Sequence, residues 1–286
     1  MKHVVDMDLS KCFDTLDHDL IIQCFRKRVS DGSILRLITL FLKSGVMNDE
    51  EFEESELGSP QGGVISPLIA NVYLNEFDQE MMRRGHRIVR YADDILIFCR
   101  SRSAAENALA QASRILEDDL KLTVNKEKTH LAHASFGVKF LGVNIFTRYT
   151  LIQEKKLKSF KKKVKLITKR NSPVNLQKLI DELRPKLRGF ANYFRIANCK
   201  KVFKEFMAWV RRRLRSKQMK LWKKSAKLQR VLRQRGYQGD FKAIKMTSWR
   251  NSCSQHAHYA MPNCFFDELK LFDMSKVKTG ISVPSW

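Results

Sequence analysis

The chain has 286 residues, 43% of them hydrophobic and 10% aromatic, a composition typical of one large globular domain or two ordinary ones. Every apolar run falls well short of the roughly 20 residues that span a bilayer, and residues 1–20 carry acids where a signal peptide needs an apolar segment. The six cysteines show no paired spacing. We therefore predict no membrane partner and a reduced, intracellular (cytoplasmic) compartment.

The net charge of +24 is divided unequally along the chain. Residues 1–150 contain 19 Lys and Arg against 22 Asp and Glu, whereas residues 151–286 contain 35 against 8, a net charge of +27. A nearly neutral half followed by a strongly basic one predicts a catalytic unit joined to a unit that binds a polyanion. Aromatic residues lie among the cations of the basic half, which favours nucleic acid over an anionic membrane surface.

The first half of the chain predicts an α+β fold, because strand and helix patterns follow one another closely. Residues 4–13 alternate apolar and acidic side chains and are predicted as a strand, and Asp17 or Asp19 can cap the helix that follows it. The next predicted elements are a helix over 31–45, a loop or short hairpin over 47–57, a glycine-rich turn over 58–63, a helix over 66–84, a β-hairpin over 87–100, a helix over 104–120, and strands over 122–124, 129–133 and 139–146.

After about Tyr149 the pattern becomes helical. Residues 155–169, 176–197 and 200–235 are predicted as helices, with a kink or break at Pro185. We expect three regions, listed by their bounds: 1–149, 150–235 and 236–286.

The motif Tyr91-Ala92-Asp93-Asp94 places two acids at the start of an otherwise apolar strand. Strand interiors disfavour Asp, and neighbouring carboxylates repel each other unless a cation lies between them. A divalent metal is the simplest such cation, so the motif predicts a metal site at the turn of the hairpin.

Four motifs follow one another along the first half: Asp8 within residues 4–14, Pro60-Gln61-Gly62-Gly63 within 58–75, the acidic pair within 90–98, and residues 125–129 followed by 139–143. In this order and spacing they resemble the palm of reverse transcriptases, most closely the group II intron reverse transcriptase/maturase family. The basic half continues the likeness, because residues 187–194 and 209–214 are similar to the family's thumb, or maturase, region.

The resemblance implies a reverse-transcriptase palm, an antiparallel sheet with packed helices, over 1–149. A mostly helical thumb/maturase domain over 150–235 and its carboxy-terminal extension over 236–286 would follow. The implied function is that of an RNA-directed DNA polymerase that also assists the splicing of its intron RNA.

Nucleotide addition needs a primer 3′-hydroxyl that loses its proton and a pyrophosphate whose charge is neutralised, and two Mg²⁺ ions do both. Mn²⁺ is a possible substitute. The resemblance implies the metal ligands Asp8, Leu9 (through its backbone carbonyl), Asp93 and Asp94. Lys128 is the candidate general acid, with Lys126 as the alternative.

The same resemblance assigns the substrate contacts. Phe13 would lie under the sugar and exclude a 2′-hydroxyl, so that the product is DNA. The implied nucleotide-binding residues are Leu9, Phe13, Gln61, Gly62 and Tyr91. The implied primer grip is Phe140, Leu141 and Gly142.

The implied partners are an RNA template with a DNA primer, deoxynucleoside triphosphates and structured intron RNA. A separate amino-terminal fingers fragment is a further candidate partner, because the likeness begins within the first ten residues and the family's fingers precede that point. The candidate RNA-binding residues are Lys161, Lys162, Arg211, Arg212 and Arg213.

Several alternatives stay open. The chain can be an RNA-binding maturase module without chemistry, or a related reverse transcriptase of another mobile element or of host defence. Runs of basic residues are often solvated helix faces. One further group could bind zinc in principle, although its spacing matches no common zinc pattern and ordinary packing is favoured: Cys253, His256, His258 and Cys264.

Overall fold

The computed structural model describes residues 1–43, 46–48, 51–53, 58 and 64–280, with only the backbone described over 46–48 and 51–53. The chain divides into two compact units, Met1–Phe140, which we call the sheet unit, and a second beginning at Leu141, which we call the helical unit. Among the helices that the structure describes, none combines the length and the apolar character needed to cross a bilayer.

The described strands and helices confirm the predicted α+β class. The strands are β1 (His3–Met7), β2 (Val46–Asn48), β3 (Glu51–Glu53), β4 (Arg87–Tyr91), β5 (Asp94–Cys99), β6 (His130–His133), β7 (Val138–Phe140), β8 (Val143–Ile145) and β9 (Thr150–Ile152). The helices are α1 (His18–Arg26), α2 (Gly32–Lys43), α3 (Ser66–Arg83), α4 (Arg102–Arg114), α5 (Glu154–Ile167), α6 (Leu176–Phe194), α7 (Lys200–Trp222), α8 (Ser225–Gln234), α9 (Gln255–Ala260) and α10 (Asn263–Glu268).

Most helices of the sheet unit begin where the sequence supplies a capping group. The Asp17 carboxylate accepts a hydrogen bond from the Leu20 amide at 3.0 Å, as predicted, and Ser101 caps α4 in the same way. A proline stands in the first turn of α3, where its missing amide hydrogen costs nothing. Short polar signals in the sequence therefore fix where these helices start.

An antiparallel sheet in the order β4–β5–β1–β6 forms the centre of the sheet unit. The two faces of β1 differ, because Val5 and Met7 pack in the main hydrophobic core with α3 and α4, whereas Val4 belongs to a small separate cluster. Side chains alternate along a strand, so Asp6 and Asp8 lie on the face of Val4 rather than in the main core. The fold thus keeps the acids of the first strand out of the apolar interior.

The helical unit has its own core, built mainly from α6 and α7. Leu183, Leu187, Val210 and Leu214 are fully buried in it. Within this unit, β8 and β9 form a short antiparallel hairpin in which Val143 pairs with Ile152.

Two predicted strands are shorter than the sequence pattern suggested. The apolar run 139–146 turns at Leu141 and Gly142, where φ is 46° and 83°, and so contributes both β7 and β8. The run 4–13 ends as a strand at Met7, because Lys11 adopts a φ of 48° and a 3-10 turn follows. A turn flanked by apolar residues leaves no break in the hydrophobic pattern, which is why periodicity alone missed both.

The structure differs from the predicted helix over 200–235. The predicted helix over 200–235 is divided into α7 and α8 at Lys223, whose φ of 60° cannot continue a right-handed helix. Helix α6 runs through Pro185 without ending there. The predicted region boundaries at 149 and 235 stay predictions.

Candidate active site

Asp8 directly follows the last residue of β1. Met7 pairs with Ile95 in the antiparallel register, so the next position on each strand brings Asp8 opposite Asp94. These two acids, 86 residues apart in sequence, therefore meet at one end of the central strand pair.

The turn that carries Asp93 is held by a buried arginine. Arg90 donates through Nη1 to the Ala92 carbonyl at 3.1 Å and to Asn71 Oδ1 at 3.0 Å. Its Nη2 lies 2.6 Å from Asp78 Oδ2, and the Arg90 side chain is only 9% exposed. These contacts tie the hairpin turn, in which Ala92 has a φ of 54°, to helix α3.

The turn that follows residue 124 is bonded to Asp8. The Asn125 amide donates to the Asp8 carbonyl at 2.9 Å, and the Asp8 amide donates to Thr129 Oγ1 at 3.4 Å. Asn125 Oδ1 also accepts from the Lys128 amide at 3.3 Å, which closes the turn. As a result Lys128 Nζ lies 2.7 Å from Asp8 Oδ2.

The charges at this end of the sheet act on one another. Burial, followed by the charges of Asp93 and Asp8, raises the pKa of Asp94 above its ordinary value of 3.8. The hydrogen bond and the charge of Asp8, with smaller contributions from Asp93 and Asp94, raise the pKa of the Lys128 ammonium. Three carboxylates repel one another here, and Lys128 offsets part of that repulsion.

The residues at this end of the sheet fit a divalent metal more closely in their chemistry than in their placement. The donors fit by chemistry, because Mg²⁺ prefers carboxylate and carbonyl oxygens and the repulsion among Asp8, Asp93 and Asp94 favours a cation. The placement fits less closely: in the part of the chain that the structure describes, no group of three or more His, Cys, Asp or Glu side chains is gathered as a metal site.

Two family models match the chain. The model described as "Reverse transcriptase (RNA-dependent DNA polymerase)" covers residues 1–145, and that described as "Group II intron, maturase-specific domain" covers residues 157–236. The chain belongs to the group II intron reverse transcriptase/maturase family. The predicted resemblance is thereby confirmed at the level of the family.

Relatives cover only parts of the chain. Protein YkfC of Escherichia coli (strain K12) is 33% identical over 173 residues, which are 49% of this chain and 45% of that protein. Group II intron-encoded protein LtrA of Lactococcus lactis subsp. cremoris is 26% identical over 208 residues, 50% of this chain and 35% of that protein. The match to a solved structure of the foamy viral protease-reverse transcriptase in complex with an RNA/DNA hybrid is weak: 19% identity, a TM-score of 0.43, and coverage of 73% of this chain and 24% of that one. The chain spans less than half the length of these two curated relatives.

The predicted nucleotide-binding residues occupy different environments. Leu9 is buried and bridges to Val124 across the sheet, while the half-buried Phe13 ring packs against the main core. The Tyr91 side chain is 63% exposed at the end of β4. Gln61 and Gly62 lie outside the described residues.

The predicted primer grip lies where β7 ends. Phe140 packs with Val4 and Leu96 in the small second cluster of the sheet unit. In the helical unit, the Leu141 carbonyl accepts a hydrogen bond from the Tyr193 hydroxyl at 2.9 Å. The Gly142 carbonyl accepts from the Gln153 amide at 3.0 Å.

The five candidate RNA contacts are placed differently from one another. Lys161 and Lys162 are exposed on α5. Arg211 is 8% exposed and pairs with Asp273 at 2.5 Å, so its guanidinium is engaged inside the helical unit. Arg212 lies over the Trp249 ring, and Arg213 donates to the Thr168 carbonyl at 3.0 Å. The run of three arginines is therefore structural at Arg211, a distinction that the sequence alone does not make.

The potential zinc ligands are not gathered either. Cys253 and Cys264 are exposed thiols, and His256 Nε2 is hydrogen-bonded to the Asp240 carbonyl at 2.6 Å. Among the described residues, no cluster of metal-ligating side chains includes any of the four.

Sequence reasoning missed the residues that hold the acids in place. Arg90 and Asp78 support the acidic turn, and Asn125 anchors the segment that carries Lys128 to Asp8. An arginine directly before the acidic tetrad was the available signal for the first pair. Asx turns, in which an Asn side chain accepts backbone amides two or three residues on, were the signal for the second.

Proposed function

We propose that this chain carries the palm and thumb of an RNA-directed DNA polymerase of group II intron type, which adds deoxynucleotides to the 3′-hydroxyl of a DNA primer on an RNA template. One observation carries the proposal. Asp8, Asp93 and Asp94, from motifs in the order of the matched family, meet at one end of the sheet beside the Lys128 ammonium.

The proposed metal ligands are Asp8, Asp93, Asp94 and the backbone carbonyl of Leu9. When bound, two Mg²⁺ ions, for which Mn²⁺ can substitute, acidify the primer hydroxyl and neutralise the pyrophosphate. The Lys128 ammonium, whose pKa is raised by Asp8, stays protonated at neutral pH and can give its Nζ proton to the departing pyrophosphate. The half-buried Phe13 ring would exclude a 2′-hydroxyl from the sugar site.

Primer extension on an RNA template with Mg²⁺ tests the reaction. The substitution Asp93→Asn keeps the shape of the side chain and removes a charge, so we expect it to lower extension by about 10²–10³-fold or more. Affinity for the RNA should change little. Asp118→Asn, at an exposed acid on the π-helical turn after α4, is the matched control and should extend primers normally.

A second arm of the assay adds an amino-terminal fingers polypeptide of the family as a separate chain, because this chain spans less than half the length of its curated relatives. If extension occurs in either arm and Asp93→Asn abolishes it, the result supports the polymerase. The absence of extension in both arms would reject it.

A second candidate is an RNA-binding maturase module that supports intron folding without chemistry. Two observations favour it: Lys128 already neutralises Asp8, and residues 151–286 carry a net charge of +27. Splicing assistance to intron RNA that is unaffected by Asp93→Asn, together with no extension by the unchanged chain, would establish this alternative.

A further inference from the structure

The surface of the helical unit contains a groove between α5 and α7 that the predicted polymerase site does not use. Its volume is about 890 Å³, and its lining includes six basic side chains and one acid, Glu154. Trp209 of α7 also lines it. A basic groove with an aromatic ring in its lining is the combination that binds nucleic acid strands.

The lysines of the groove follow one face of α5. Residues spaced by three, seven and ten positions share a helix face, and Lys155, Lys158, Lys162 and Lys165 have this spacing. At 1.5 Å per residue the row is about 15 Å long. A row of this length presents several cations in succession to a chain of phosphates.

The α7 side of the groove is built by mutual contacts. Arg213 donates to the Lys165 and Thr168 carbonyls at 3.2 and 3.0 Å, which ties α7 to the end of α5. Its guanidinium also lies 5.3 Å from the centre of the Trp209 ring, and Lys161 Nζ lies 5.2 Å from it. Arg213 therefore holds the indole in one orientation, and the Lys161 ammonium lies beside the ring.

We propose that this groove binds a single strand of nucleic acid, with phosphates along the α5 lysines and one base against Trp209. The proposal rests on the proposed function, since it names where the helical unit holds its polynucleotide. A paired base is stacked between its neighbours and cannot offer its face to an indole, so the groove favours a single strand over a duplex. RNA and DNA share this chemistry, and the test compares them.

The alternative interpretation is a solvated lysine face that binds any polyanion weakly. It predicts that neutralising any two exposed lysines of the helical unit has the same effect. It also predicts no contribution from the bases. A binding groove predicts that only the lysines lining it matter and that the bases add to the affinity. Experiment can therefore distinguish the two interpretations.

The first experiment measures how binding of a short oligouridylate depends on salt. Each lost phosphate contact lowers the slope of log affinity against log salt by about 0.7 for a single strand. Lys158→Gln with Lys162→Gln should therefore lower the slope by about 1.4. The matched control is Lys163→Gln with Lys227→Gln, which removes the same charge from exposed lysines outside the groove and should leave the slope unchanged.

The second experiment separates stacking from charge. An abasic oligomer keeps every phosphate and has no bases. Stacking on an aromatic side chain contributes about 1–3 kcal/mol per base, so Trp209→Leu should weaken oligouridylate binding by about 5- to 150-fold and leave abasic binding unchanged. Trp209→Phe keeps an aromatic face and should retain most of the affinity. Because Trp209 also contacts Phe206, thermal unfolding of each variant is measured alongside.

Several outcomes would overturn the proposal. The first is an equal fall in the salt slope in the groove and control lysine variants, and the second is an equal loss of affinity for oligouridylate and the abasic oligomer in Trp209→Leu. The other two are tighter binding of duplex RNA than of the single strand, and displacement of the strand by polyglutamate as readily as by oligouridylate. Matched DNA and RNA oligomers show which strand the groove prefers. If the variant with Lys158→Gln and Lys162→Gln extends primers normally and binds the single strand as the unchanged chain does, the groove is rejected and the polymerase is not. If single-strand binding meets both expectations but the unchanged chain extends no primer, the polymerase is rejected and the groove is not.

Discussion

The contact between Lys128 Nζ and Asp8 Oδ2, at 2.7 Å, joins two motifs that are 120 residues apart. A general acid contributes about 10²–10⁴-fold to a reaction, so Lys128→Gln should lower the rate of single-nucleotide addition by this range with little change in nucleotide affinity. Lys126→Gln, which removes the alternative general acid two residues away in the same turn, is measured in parallel and should leave the rate unchanged. Rapid-quench measurement gives both values, and an equal loss in the two variants would remove Lys128 from the proposed role.

Repulsion among the acids predicts an unusual dependence of stability on pH. Burial, Asp93 and Asp8 raise the pKa of Asp94 in the folded chain, so its ionised form is disfavoured there relative to the unfolded chain. The contribution of Asp94 to the free energy of unfolding is therefore largest when the pH is below the pKa of Asp94 in the unfolded chain. It is lost as the pH rises through the higher pKa of the folded chain. Without divalent metal, Asp94→Asn should raise the melting temperature at neutral pH and make no difference well below pH 3.8.

Thermal unfolding of the two proteins over this range of pH, in the presence of a chelator, is the measurement. Asp118→Asn serves as the control, because the Asp118 side chain is 69% exposed and lies 3.8 Å from the Arg114 guanidinium. A lower melting temperature for Asp94→Asn at neutral pH would contradict the assignment of repulsion at this site.

At the scale of elements, Gly58 fixes the start of the glycine-rich segment. Its φ is 85°, and a Cβ built there would lie 2.6 Å from the Asp14 carbonyl oxygen, a backbone atom that cannot turn away. The Gly58 amide donates to the Leu16 carbonyl at 2.8 Å, and the Gly58 carbonyl is bonded to His18 Nε2 at 2.6 Å. The segment therefore begins against the turn after β1.

Gly58→Ala should lower the free energy of unfolding by more than the roughly 1–3 kcal/mol that a strained backbone conformation costs, because the clash adds to it. Gly85→Ala is the matched control: its φ is 81°, but nothing lies within 4 Å of the added Cβ. Chemical denaturation of both variants separates strain from clash. Equal losses would show that the contact with Asp14 has no effect.

In the helical unit, Arg211 of α7 pairs with Asp273, and the two side chains are 10% and 8% exposed. Burial raises the pKa of Asp273, but hydrogen bonds from Ser275 and the charge of Arg211 outweigh it and lower the pKa overall. The stability that this pair contributes is thus present above the unfolded pKa of Asp273 and is lost as pH falls through the lower folded value.

Removing one member of a buried ion pair costs about 3–5 kcal/mol, so Asp273→Asn should lower the free energy of unfolding by that amount at neutral pH. Arg211→Met combined with Asp273→Leu should restore most of it, because no unpaired charge remains. Lys276→Gln, at an exposed lysine beside the same segment, is the control. Denaturation curves in which the double variant is as unstable as the single one would contradict this account.

Elements with strong local signals could be predicted from the sequence, and those fixed by contacts distant in sequence could not. Asp17 and Pro67 mark the starts of their helices, and the acidic pair marks the hairpin turn. The break at Leu141, by contrast, lies inside an apolar run. The burial of Arg211 depends on Asp273, 62 residues away, so three consecutive arginines looked alike in the sequence. For the site, motif order indicated which acids meet, while the supporting role of Arg90 and Asp78 required the packing of α3 against β4.

At the scale of the whole molecule, charge is divided between the two parts of the chain. The acids proposed for chemistry lie in residues 1–150, whose net charge is −3, and the proposed attraction of phosphates rests on residues 151–286, whose net charge is +27. Acidic groups repel a polyanion, so the attraction that holds one has to come from the basic residues of the second part. The division predicts that the basic residues of the second part control template binding.

Binding of a template–primer with a single-stranded overhang should therefore depend steeply on salt. A protein that makes six to ten phosphate contacts loses about 10³–10⁵ in affinity between roughly 50 and 200 mM salt. Lys158→Gln with Lys162→Gln should reduce this dependence, whereas Arg102→Gln with Arg114→Gln should not, since those arginines belong to exposed ion pairs of the sheet unit. Fluorescence anisotropy over a salt series measures the slope for each variant. A slope below about 2 in the unchanged chain would mean that fewer than about three phosphates are contacted, and the basic half would then be a solvated surface rather than a binding one.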